Sequence, residues 1–234
     1  MGKYLPKYFP AGVNNLLEPA CGPGYWLSKI CPSYGLGIDI NPQMVSWCNG
    51  IFKEIKNIHV IIGDMRRIPE AYYSYFDLAI NLEKTIGHLE SEEDLALHLD
   101  SIRKSLRVGG FYYLGCPLEN DYGDNQYLPS TITTDWSPLI SGGDARLEMW
   151  NTTPRNSLIS TSVNYQVSIR NSIKYPKFIK GYFDIRNFRA DLAINMITKT
   201  NFRLLSASYL DVPGMPESQN LYNLGLVNLV LQAI

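Results

Sequence analysis

Over residues 1–116 the chain alternates short apolar runs with stretches of helical spacing. Residues 14–17 lead into a Gly-rich turn, residues 36–38 close on Asp39, and residues 59–62 close on Asp64. Residues 76–82 and 110–114 are a fourth and a fifth run. Runs this short and continuously apolar suit strands of a parallel sheet covered on both faces. Between them, Asn41 and Pro42 read as an N-cap followed by proline at the first helical position. Met44, Cys48, Ile51 and Phe52 then mark one helix face. Leu95, Leu99, Ile102 and Leu106 recur at i, i+4, i+7 and i+11, the stripe of an amphipathic helix that Val108-Gly109-Gly110 ends. This strand–helix alternation predicts a doubly wound α/β sheet.

After Cys116 the pattern changes. Residues 117–143 are rich in Asp, Asn, Gly, Pro and Ser and read as a long loop. Residues 147–150, 158–168 and 173–183 read as three strands of an antiparallel meander outside the main sheet. Phe188, Leu192 and Met196 mark a further helix, and residues 202–209 and 224–231 two closing strands. The organisation expected is a core over 1–116, an inserted loop and β-meander over 117–185, and a return to the same core over 186–234.

The segment that carries chemistry is Leu17-Glu18-Pro19-Ala20-Cys21-Gly22-Pro23-Gly24, set between a strand and a helix. Glycines there let backbone approach a ligand closely, and the amides of a helix N-terminus face it. The segment resembles the first motif of the class I S-adenosylmethionine-dependent methyltransferases, an acidic residue followed by G-x-G-x-G. Glu18 takes the acidic position, Ala20 the first glycine position, and Gly22 and Gly24 the second and third. Four later landmarks follow in order: Asp39, Asp64-Met65, the strand Phe76-Asp77-Leu78-Ala79-Ile80, and Leu106-Arg107-Val108-Gly109-Gly110, similar to L-x-P-G-G. Arg186-Asn187-Phe188 with Asn201-Phe202 extends the likeness toward small-molecule methyltransferases.

The resemblance implies a Rossmann-like sheet of seven strands, order 3-2-1-4-5-7-6 with strand 7 antiparallel, and a β-rich insertion after strand 5 that covers the active-site mouth. It implies S-adenosyl-L-methionine as cofactor and S-adenosyl-L-homocysteine as product. Glu18, Ala20, Gly22, Gly24, Asp39, Ile40, Asp64, Met65 and Asn81 would hold the donor, Asp39 through the ribose hydroxyls and Asp64 facing the adenine amino group. The loop after strand 4, Asn81-Leu82-Glu83-Lys84-Thr85-Ile86-Gly87-His88, would separate donor from acceptor. Glu83, as an ammonium holder or proton acceptor, and His88, as a general base, are the catalytic candidates. His59 and His98 read as structural, Trp26 as core, and Tyr4, Tyr8 and Phe9 as an N-terminal arm that can fold over the donor.

Composition narrows the acceptor. Lys and Arg number 21 against 22 Asp and Glu, a net charge of −1, which argues against nucleic acid as partner. The [N/D/S]-P-P-[Y/F] motif of nucleic-acid amino methylation is absent after strand 4, where the chain reads Asn81-Leu82-Glu83-Lys84. A small-molecule acceptor, methylated on nitrogen or oxygen, remains. The four cysteines, Cys21, Cys31, Cys48 and Cys116, have no C-x-x-C spacing and no clustered histidine, so no metal and no disulfide framework is expected, and the cytoplasm is. No apolar run reaches the roughly 18 residues of a membrane span, and no signal-peptide core is visible. An oligomer is compatible with the chain. A subunit that binds the nucleoside without transferring methyl is the alternative of another class. A nicotinamide oxidoreductase fits less well, because the third glycine of its G-x-G-x-x-G would fall on Leu27.

Overall fold

The computed structural model describes residues 5–119, 131–136, 144–151, 160–170, 178–209 and 226–234. The first five strands are β1 (Asn15–Pro19), β2 (Tyr34–Asp39), β3 (Ile58–Ile62), β4 (Phe76–Asn81) and β5 (Leu106–Glu119). They run parallel, with β1 between β2 and β4. Every residue of β4 is buried, and Leu16, Leu17, Leu36, Ile38 and Leu78 are fully enclosed. Burial on both faces is what the continuous apolar runs require.

Helices α2 (Tyr25–Ile30), α3 (Pro42–Ile51) and α4 (Glu92–Ser105) connect these strands, and a four-residue α1 (Leu5–Tyr8) precedes them. Asn41 caps α3 as expected, its side chain accepting the Gln43 amide at 2.9 Å. The buried face of α3 differs from the expected one, however. Val45, Cys48 and Phe52 face the core, whereas Met44 and Ile51 are exposed, because the helix turns Met44 toward the cleft described below. α4 buries Leu95, Leu99 and Ile102 as the stripe predicts, and Ser91 caps it by accepting the Asp94 amide. His98 on this helix is enclosed, bonded to the Tyr112 hydroxyl at 2.6 Å and the Met65 carbonyl at 3.0 Å, and burial pushes its pKa down to about 4.

Val108-Gly109-Gly110 does not simply end α4. β5 begins at Leu106, directly after the helix, and its pairing to β4 jumps from Leu106 to Phe111. The intervening residues bulge, with Gly109 at φ +82, the conformation glycine tolerates best.

The insertion is a four-stranded antiparallel sheet, β6 (Thr131–Trp136), β7 (Asp144–Asn151), β8 (Ser160–Arg170) and β9 (Phe178–Arg186), paired in that order. It has one strand more than the sequence pattern predicts: β6 lies inside the stretch read as loop. The side chains of Trp136, Trp150, Tyr165 and Phe183 lie outside the described residues, as does Tyr4.

After β9, Phe188 belongs to a two-residue strand β10 (Phe188–Arg189) on the end of β5 rather than to the helix. α5 (Ala190–Lys199) follows and buries Ala193 and Ile197, one residue beyond the expected Leu192 and Met196. β11 (Phe202–Tyr209) and β12 (Leu226–Ala233) complete the main sheet. Its order is β11-β12-β5-β4-β1-β2-β3, and β12 runs antiparallel to both neighbours. With β12 as seventh and β11 as sixth strand, this is the expected 3-2-1-4-5-7-6 arrangement.

Candidate active site

The carboxyl ends of β1, β2, β3 and β4 surround one cleft of about 840 Å³. Open parallel sheets leave such a crevice where neighbouring connections depart to opposite faces. Glu18, Ala20, Gly22, Asp39, Ile40, Asp64, Met65, Asn81, Glu83 and His88 all line it. Gly24 does not. It caps α2 at φ +69 and packs on Phe52, whose ring would stand 2.6 Å from an added Cβ. The absence of a side chain there lets Phe52, at the end of α3, close on the turn.

The turn after β1 is tied to its surroundings. Gly22 sits at φ +49, its amide donating to Asp39 Oδ2 at 2.7 Å and its carbonyl accepting from Cys48 Sγ at 2.9 Å. The space where a Gly22 Cβ would stand is empty, which leaves room for a ligand against the backbone. Asp39 also accepts the Asn41 amide through Oδ1 at 2.8 Å, so its carboxylate is fixed at the end of β2. Ala20 occupies the left-handed region at φ 51, a conformation that costs a residue with a Cβ.

Glu18 is 5 % exposed. Its carboxyl accepts the amides of Leu27 at 2.9 Å and Trp26 at 3.4 Å, tying β1 to the first turn of α2. Burial pushes its pKa up to about 7, against the pull of those two amides. Trp26, expected in the core, is half-buried and lines the cleft.

At the end of β3, Asp64 is gripped by Arg66. The guanidinium donates through Nε at 3.0 and 2.9 Å and through Nη2 at 2.6 Å, and also reaches Asp94 at 2.6 Å. These bonds hold the Asp64 carboxyl below the usual carboxylate range. Sequence reasoning missed Arg66; its place two residues after Asp64, beside a turn, was the available signal. Asn81, 2 % exposed at the end of β4, donates to the Pro19 carbonyl at 3.0 Å, and its buried Oδ1 has no hydrogen-bond partner. A buried acceptor left open beside a cleft points to a donor on a ligand.

Beyond Asn81 the backbone is unusual. Glu83 and Lys84 both adopt left-handed conformations, at φ 60 and 63. Such strain in non-glycine residues gathers at functional sites. Burial lowers the Lys84 pKa. The 3-10 turn Thr85–His88 follows and rests on the insertion: a Cβ on Gly87 would stand 2.6 Å from Ile185 Cγ2 and 3.1 Å from the Arg186 carbonyl. Arg186 also donates to the Glu90 carbonyl at 2.5 Å. Of the N-terminal arm, Tyr8 and Phe9 pack on Phe111, at ring distances of 4.6 and 5.5 Å, and do not line the cleft. Among the described residues no group of His, Cys, Asp or Glu is arranged to hold a metal.

Comparisons with known proteins bear on the fold. Residues 16–110 match the family described as "Methyltransferase domain". Comparison with curated protein sequences gives no match. An amino pentose methyltransferase from Micromonospora echinaspora, solved with S-adenosylmethionine bound, superposes with a TM-score of 0.73 at 12% identity, covering 99% of this chain and 88% of its own. A sugar N-methyltransferase from a Streptoalloteichus species gives 0.69 at 16% identity, covering 99% and 84%. An S-adenosylmethionine-dependent methyltransferase from Clostridium acetobutylicum gives 0.68 at 13% identity, covering 94% and 84%. At these identities the superpositions establish fold. Residues 16–110 thus match a methyltransferase-domain model, and the chain as a whole shares the fold of these solved methyltransferases.

Proposed function

We propose that this chain transfers a methyl group from S-adenosylmethionine to a small molecule, on nitrogen or oxygen, and releases S-adenosylhomocysteine. The observation that carries the reading is the convergence on one cleft of an open glycine cradle at Gly22, a fixed carboxylate at Asp39 and an unpartnered buried acceptor at Asn81. Together they suit a nucleoside with a polar tail.

Bound there, S-adenosylmethionine supplies an electrophilic methyl on a positively charged sulfur. The protein's part is to align, to exclude water and to manage protons. Asp39 still has lone pairs for the two ribose hydroxyls. Ile40, 69% exposed, and Met65 offer apolar surface to a flat base. Asp64, held by Arg66, stays an acceptor-only carboxylate for an amino group. On the acceptor side Glu83 holds a cationic amine or takes its proton, and His88 removes a proton from the attacking group.

The neighbours named for amino pentose and sugar N-methylation support a small-molecule acceptor. So does the insertion over 117–185, which seats β9 against the 3-10 turn bearing His88 and serves as the acceptor cover. The near-even charge speaks against nucleic acid. No described helix is long and apolar enough to cross a membrane, and the four cysteines are unpaired, which supports a cytoplasmic location. Incubation with methyl-labelled S-adenosylmethionine and a panel of small amines and alcohols tests the reading. Label in a small product is expected. Label in none, with the donor bound, would leave the chain a binding subunit.

A further inference from the structure

Charge in the cleft is almost wholly of one sign. Glu18, Asp39, Asp64, Glu83 and Glu90 line it, and among the described residues the lining has no lysine and a single arginine, Arg66. Arg66 is taken up by Asp64 and Asp94, at 2.6 Å from each. Asn81 points independently to a ligand here: it is 2 % exposed, lines the cleft, and its buried Oδ1 has no hydrogen-bond partner. In the donor reading Glu18 holds the turn into α2, and Asp39 and Asp64 meet the nucleoside. Glu83 and Glu90 are left for the acceptor. Both are exposed, and neither forms an ion pair among the described residues. Lys84, beside Glu83, is half-buried and does not line the cleft.

Two aromatic rings stand in the same lining. Tyr25 and Trp26 meet edge to face, with centroids 4.9 Å apart, and Lys29 Nζ already lies 5.7 Å over the Tyr25 ring. Ring faces attract cations. We propose that the acceptor is a cationic amine that carries no phosphate or carboxylate, an inference that rests on the methyl-transfer reading above. Glu83 and Glu90 draw the ammonium in, and the carboxylates of the cleft offset its repulsion from the donor's sulfonium. His88 takes one proton from the ammonium and later passes it to solvent. The nitrogen lone pair so freed forms the N–C bond, while the electrons of the C–S bond return to sulfur. A methylammonium and a neutral thioether result. An alcohol gives these carboxylates no charge to hold. An anionic group on the acceptor meets like charge and no unpaired cation in the lining.

The test is methyl transfer from labelled S-adenosylmethionine by the whole protein to matched probes. Phenethylamine, cyclohexylamine and glucosamine are each compared with a hydroxyl counterpart (2-phenylethanol, cyclohexanol, glucose) and an anionic one (phenylalanine, 4-aminocyclohexanecarboxylate, glucosamine 6-phosphate). In the scaffold that is labelled, kcat/KM should favour the plain amine by about tenfold or more over both counterparts. The double variant Glu83→Gln, Glu90→Gln should cut that preference by about fivefold, with the Kd for S-adenosylhomocysteine reporting an intact donor site. Equal or faster labelling of a hydroxyl or anionic probe would overturn the proposal and leave methyl transfer standing. So would a preference unchanged in the double variant. The comparison of probes uses the unaltered protein and does not depend on the variant folding. Label in no probe, with the donor bound, would remove the methyl-transfer reading and this inference with it.

Discussion

The carboxylate of Asp39 accepts the amide of Gly22 at 2.7 Å, so the end of β2 holds the turn that follows β1. In the proposed function the same carboxylate accepts the ribose hydroxyls. Asp39→Ala should therefore weaken donor binding twice over, by losing ligand bonds and by loosening the cradle. The expected loss is about 1.5–3 kcal/mol, the range for hydrogen bonds to a charged group, read as a higher Kd for S-adenosylhomocysteine in calorimetry. An unchanged Kd would remove Asp39 from the donor site.

Ala20 stands where the resembling motif has its first glycine, and the structure shows the consequence: a left-handed φ of 51 in a residue with a Cβ. Ala20→Gly relieves that strain while adding freedom to the unfolded chain. A net stabilisation of about 0.5–1 kcal/mol is expected in urea unfolding. A destabilised variant would mean that the Ala20 methyl contributes packing that outweighs its backbone cost.

Two buried groups give opposing pH dependences. His98, driven to a pKa of about 4 by burial, stays neutral in the folded chain while the unfolded chain protonates near 6.5. Its contribution is present above the unfolded value and lost as pH falls toward 4. Glu18, raised to about 7, behaves in the opposite sense: its contribution is present below about 4.5 and lost as pH rises through 7. Each spans about 3 kcal/mol by linkage, so between about pH 4.5 and 6.5 the slopes largely offset one another. Glu18→Gln should unmask a stability that rises with pH across that interval, and His98→Phe one that falls. Unfolding free energies from urea titration at four pH values check both; unchanged slopes would contradict the burial of these groups.

Much of this was legible in the sequence, for physical reasons. Strands such as Phe76–Asn81 are buried on both faces and so leave continuous apolar runs. Asn41-Pro42 states a helix start in two residues. The cleft residues at strand ends were found through the acidic positions Glu18, Asp39 and Asp64. What failed were inferences from polarity alone. Met44 is apolar yet faces the cleft, because a ligand site is also an apolar surface. Thr131–Trp136 is polar enough to pass for loop, yet it pairs with Asp144–Asn151 along its full length. The ring of Phe52 packed beside Gly24 is likewise a contact that the motif does not show. The Arg66 contact with Asp94 joins positions far apart in the chain, which one sequence cannot pair.

The seat of β9 on the 3-10 turn gives a separate prediction. Gly87→Ala drives a methyl into Ile185 Cγ2 and toward the Arg186 carbonyl, and overpacking of this kind costs about 1–3 kcal/mol. Ile185→Ala in the same chain should return part of that stability, since it removes the nearer contact and leaves the backbone one. Thermal unfolding of the single and double variants measures this. Equal melting of Gly87→Ala and parent would mean that the insertion does not bear on the turn.

The central claim is the identity of the methyl donor. Calorimetry of the purified chain with S-adenosylmethionine, S-adenosylhomocysteine and NADH tests it most directly. The account predicts micromolar binding of the two sulfur nucleosides and none of NADH. Binding of NADH without the sulfur nucleosides would contradict it.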